Sequence, residues 1–95
     1  MSERKPDCKN HPTDIKGYKN KRDQLAKDLS NLRYSELADI LEYLGMNLIE
    51  DARKDIEGDR KELGASLAMA GAGIKDAQTW IQRAWNISKP YMSDG

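Results

Sequence analysis

Residues 63–84 read LGASLAMAGAGIKDAQTWIQRA, and the first twelve, from Leu63 to Ile74, carry no charge. Apolar positions recur at Leu63, Leu67, Ala70, Ile74, Ala77, Ile81 and Ala84. Steps of four and three alternate along this series, which is the spacing of one helix face and of a coiled-coil-like seam. Small residues (Ala70, Ala77, Ala84) alternate with large ones (Leu67, Ile74, Ile81), so a facing helix can come close. The helix should end at Lys89-Pro90, because the residue before a proline resists the α conformation. A helix with no polar face is normally covered on all sides. The hairpin partner covers one side and the first helix can cover part of what remains, so a second copy or another protein is expected against the rest.

Upstream, Leu37, Ile40, Leu41, Leu44, Leu48, Ala52 and Ile56 trace a second helical stripe. Ser35 reads as its N-cap, with Glu36 and Asp39 near the positive helix end. Between the two stripes, Gly58 suits the left-handed residue after a helix end, and Asp59 with Glu62 resembles a capping box. The competing reading is one long helix through Gly58, at about 1 kcal/mol for the glycine. With a break at Gly58 the two helices fold into an antiparallel hairpin. Leu48 then lies near Ala70, Leu44 near Ile74 and Gly73, Leu41 and Ile40 near Ala77, and Leu37 near Trp80. Large residues meet small ones, which is how a core fills without voids.

A third stripe, Ile15, Tyr18, Arg22, Leu25, Leu29 and Leu32, predicts a first helix from near Thr13, weakened in its first turns by Gly17. Asn31 to Tyr34 reads as a turn. Residues 1–12 hold Pro6 and Pro12 without periodicity and read as a flexible arm. Residues 13–92 form a single helical domain in this reading, with Tyr91 and Met92 folded back on it, and 93–95 a frayed end. The fold class is therefore all-α: an antiparallel helical hairpin with a third packed helix, a small three-helix bundle, and a homodimer is expected.

The chain has 95 residues with equal numbers of acidic and basic side chains. It is thus no polycation built for nucleic acid, but its charge is unevenly placed. Residues 1–34 hold nine Lys/Arg against five Asp/Glu, and residues 35–62 hold four against nine. A basic front and an acidic middle can attract each other within one fold or between two copies. Asp51 and Asp55 are expected to meet Lys61, Lys16 and Lys19. Cys8 is the only cysteine, so no intramolecular disulfide can form, as suits a reducing compartment. The charged N-terminus lacks the apolar core of a secretory signal, and a cytoplasmic location is expected.

Motifs for chemistry are weak. Gly71-Ala72-Gly73-Ile74-Lys75 lacks the Walker spacing and a preceding strand. Asp7, Cys8, His11 and Asp14 cluster in sequence, but Cys-x-x-His supplies only half of a four-ligand zinc site. The middle-helix carboxylates Glu42, Glu50, Asp51 and Asp55 are spaced like a solvated face, and no nucleophile stands with a base. A charge-free run of twelve is too short to cross a membrane, which takes about 20 apolar residues. No catalytic residue, metal, cofactor or membrane is expected.

The function that remains is a non-catalytic protein–protein interaction module: a small adaptor, regulator or inhibitor that acts by occupying a partner's surface. Small inhibitors from phages or other mobile elements fit this description. The contact is expected at Met69, Gly71, Ala72, Gly73, Trp80 and Trp85, since aromatic residues are common at interface hot spots; they are also common in cores, which is the favoured of the two places for Trp80 and Trp85. The alternatives are a nucleic-acid-associated protein using Lys16, Lys19, Lys21 and Arg22 of a basic first helix, with salt-sensitive phosphate contacts, and a structural subunit of a larger assembly.

Overall fold

A computed structural model describes residues 11–91. The expected arm lies outside the described residues up to position 10, as do Cys8, Met92 and the expected frayed end. Among the described residues the fold is all-α: α1 (Arg22–Ser30), α2 (Tyr34–Glu57) and α3 (Lys61–Ser88), followed by one 3₁₀ turn, Lys89–Tyr91. The two long helices pack along their length as an antiparallel hairpin, and the shorter α1 precedes them.

The break at Gly58 is present, but its chemistry differs from the expectation. Gly58 keeps a negative φ of −85°, and Asp59 takes the left-handed conformation, with φ 70°. The Asp59 amide donates to the Ile56 carbonyl and the Arg60 amide to the Asp55 carbonyl. This pair of bonds is the Schellman closure of a helix end. An ion pair locks it: the Arg60 guanidinium lies 2.8 Å from Asp55, whose side chain is 15% exposed. Asp59 and Glu62 make no capping box, since Arg60 stands at the cap position of α3 without a side-chain cap bond. Asp55 takes Arg60 as its ion-pair partner, in place of the lysines expected from charge alone.

Two further boundaries differ. Ser35 does not cap α2. The Arg33 carbonyl already accepts the amides of Glu36 and Leu37, which places Ser35 inside the first turn. The first helix opens at Arg22 rather than near Thr13. Gly17 takes φ 87°, and the Tyr18 amide closes a tight turn onto the Ile15 carbonyl. Lys19, Lys21 and Arg22 also place positive charge at the helix end that disfavours it.

The hairpin register falls within about one residue of the sequence expectation, but the buried line is a different one. Buried positions are Ala38, Gly45 and Ala52 on α2 and Gly64 and Gly71 on α3. Each series steps by seven. A Cβ on Gly45 would sit 3.3 Å from the Gly71 carbonyl oxygen, and one on Gly64 would sit 2.8 Å from that of Ala52. Backbone meets backbone along this seam. Ala70 and Ala77, expected to line it, are exposed, while Leu67, Ile74 and Ile81 flank it half-buried. Small residues face small ones, and the leucines are displaced sideways. No large side chain is fully buried among the described residues. Tyr91 is 86% exposed and does not fold back.

Candidate interaction surface

Gly71 fixes one side of α3 against α2. The opposite side is the ridge Met69, Gly73, Asp76, Trp80, Arg83 and Ile87, at steps of four and three. Its large apolar members are open to solvent: Met69 is 75% exposed, Trp80 66% and Ile87 62%. Nothing lies within 4 Å of where a Cβ on Gly73 would stand. The Arg83 guanidinium lies 5.6 Å over the Trp80 ring, a cation–π contact that steadies an exposed indole.

Four of the six residues singled out from sequence, Met69, Ala72, Gly73 and Trp80, are exposed on α3. The other two are engaged within the chain. Gly71 is buried, and a Cβ there would meet Ile49 at 2.7 Å and the Gly45 carbonyl at 3.1 Å. It is a packing residue of the hairpin and not a partner contact. Trp85 is half-buried, with the Arg33 guanidinium 5.7 Å over its ring, so it ties the end of α3 to the turn before α2. Sequence reasoning missed Arg83 and Ile87. Their signal was present in the spacing, three and seven residues beyond Trp80, but the ridge could be drawn only once Gly71 had fixed the inner side.

The basic residues do not share a helix face. Lys16, Lys19 and Lys21 precede α1 and Arg22 begins it, all exposed. The Arg22 guanidinium donates to the Thr13 carbonyl at 3.1 Å. The Tyr18 hydroxyl donates to Asp28 at 2.7 Å, and the Gln24 amide donates to the same carboxylate at 2.8 Å. These bonds hold Asp28 below the usual carboxylate range, Tyr18 foremost. The Tyr18 phenol is pushed up, first by lost hydration and then by its bond to Asp28. The segment is thus strapped back onto α1.

At the turn end of the hairpin a cleft is lined by Leu48, Leu63 and Leu67 together with Asp51, Lys54, Asp55 and Arg60, and His11 reaches it. Its acidic and basic groups are interspersed, and Asp55 is committed to Arg60. Further along the outside of α2, Arg53 bridges Glu50 and Glu57. Arg53 foremost lowers the Glu50 pKa, and Glu50 in turn raises that of Arg53. Among the described residues no group of His, Cys, Asp or Glu is placed to hold a metal ion, and no helix is long and apolar enough to cross a membrane. No protein-family model, curated protein or solved structure matches the chain.

Proposed function

We propose that the chain is a non-catalytic interaction module, an adaptor, regulator or inhibitor of the cytoplasm, that docks the outer ridge of α3 on a larger protein. The observation that carries this reading is Trp80: a large aromatic side chain, two-thirds exposed, at the middle of a ridge whose other apolar members are Met69 and Ile87. Leaving such a group in water forgoes roughly 1.5–3 kcal/mol of burial, which a partner pocket recovers. Anchors of this type concentrate binding energy in few contacts, and the rigid helix beneath lowers the ordering cost of binding.

A photo-cross-linking residue in place of Trp80, introduced in the source cell, tests this. The expected result is one specific cross-linked protein, absent when the same group replaces Asn47 on α2. Trp80→Ala should abolish co-purification of that protein while circular dichroism stays unchanged. Equal cross-linking from both positions, or capture unaffected by Trp80→Ala, refutes the reading.

A further inference from the structure

The seam between α2 and α3 does not record which chain supplies each helix. Its closest approaches set Gly45 against Gly71 and Ala52 against Gly64, and a second copy of the chain carries the same residues. Exchange of α3 between two chains therefore keeps the contacts of the seam. Only Gly58, Asp59 and Arg60, the three residues between Glu57 and Lys61, have to change conformation. Whether α3 returns onto its own α2 is decided in that turn.

Two opposed features meet there. Against the closed turn stands Asp59, the one residue other than glycine with a positive φ among the described residues, at 70°. Its Cβ crowds the following carbonyl oxygen in that conformation. A short hinge under backbone strain favours the exchange of an element between copies. For the closed turn stands a clasp. The Nε and Nη2 groups of Arg60 both donate to one oxygen of Asp55, at 3.0 Å and 2.8 Å. Asp55 belongs to α2, and Arg60 follows five positions later, just before α3. Along a continuous helix, residues five apart point about 140° away from each other, so the pair requires the chain to turn back. Gly58 leaves it room: a Cβ there would lie 3.2 Å from both terminal nitrogens of Arg60 and 3.3 Å from the Lys54 carbonyl oxygen.

We infer that the Asp55–Arg60 pair is the latch of a hinge at residues 58–60, and that its release lets two chains exchange α3 to give a swapped dimer. In the exchanged form Asp59 leaves the left-handed conformation and Arg60 leaves Asp55. The α2 of each chain then packs on the α3 of the other through the same seam. The closed form keeps α3 on a short tether, at an effective concentration on the order of millimolar, so exchange takes over in concentrated protein or when chains refold together. The ridge of Met69 and Trp80 lies opposite the seam in either form, so the exchange neither uses nor depends on the docking proposed above.

To test this, the full chain is unfolded in urea, refolded at high concentration, diluted and passed over a sizing column. A slowly dissociating dimer is expected beside the monomer. Asp59→Gly favours the closed turn roughly fivefold in each chain, so it should lower the dimerisation constant about 25-fold. Arg60→Ala removes the latch and should raise that constant about fivefold. The exchange itself is read in a Cys8→Ser chain carrying Leu48→Cys and Leu67→Cys, two positions that line one cleft. Oxidation should join them within one chain in the monomer fraction and between two chains in the dimer fraction, as seen on a denaturing gel without reductant. The two turn variants keep Leu48 and Leu67, so their readout stands however well the double-cysteine chain folds. Monomer alone from both the unaltered chain and Arg60→Ala overturns the inference. So does a dimer linked only within its chains, or a dimerisation constant that neither turn variant moves.

Discussion

Among the glycines of α3, one added methyl group should have opposite consequences only nine residues apart. A Cβ on Gly64 would lie 2.5 Å from Ile56 and 2.8 Å from the Ala52 carbonyl. Backbone cannot yield there, so Gly64→Ala should cost about 1–3 kcal/mol through overpacking. Gly73 faces open space in mid-helix, and Gly73→Ala should stabilise by about 0.5–1 kcal/mol. Urea unfolding of both variants checks the pair, and equal effects would contradict the seam described. At the turn, Asp59→Gly should stabilise by about 1 kcal/mol, because it removes the Cβ from a left-handed residue. Sequence alone could not separate these positions. Gly58, Gly64, Gly71 and Gly73 all read as small, and the glycine at the turn drew the left-handed role that Asp59 holds. What decides each glycine's task is the approach of a distant backbone, which no local pattern carries.

At the scale of elements, the strap between Tyr18 and Asp28 has a defined pH range. The lowered carboxylate of Asp28 contributes while ionised, and that contribution is lost as pH falls through its folded-state value. Tyr18, pushed up, contributes while protonated, and its share is lost as pH rises through the raised phenol value. Amide exchange in residues 13–21 should therefore be slowest, relative to intrinsic rates, at neutral pH. Tyr18→Phe should abolish that protection and leave α2 and α3 unchanged. The hairpin, the turn near residue 58 and the stop before Pro90 were legible in the sequence, because periodicity over two or more turns is a strong signal. The start of α1 was not, since Ile15 and Tyr18 fit the helical spacing while Gly17 and a run of positive charge opposed it. The α3 seam was misread by one position for a related reason: Ala70 and Gly71 are both small, and hydrophobicity favours the alanine.

For the whole molecule, buried Ala38 and Ala52, with three glycines, make up the innermost core of the described residues. No large side chain among them is fully buried. Such a chain draws little stability from its own interior. The glycine and alanine seam has a further consequence for mutational tolerance. In a saturation survey scored on folding alone, the most intolerant sites should not be the greasiest. Sensitivity should peak every seventh residue, at 38, 45 and 52 and again at 64 and 71. The neighbouring leucines should exchange freely for isoleucine or methionine. The strictest constraint on this chain is therefore on bulk, at places where nearly every side chain is too large.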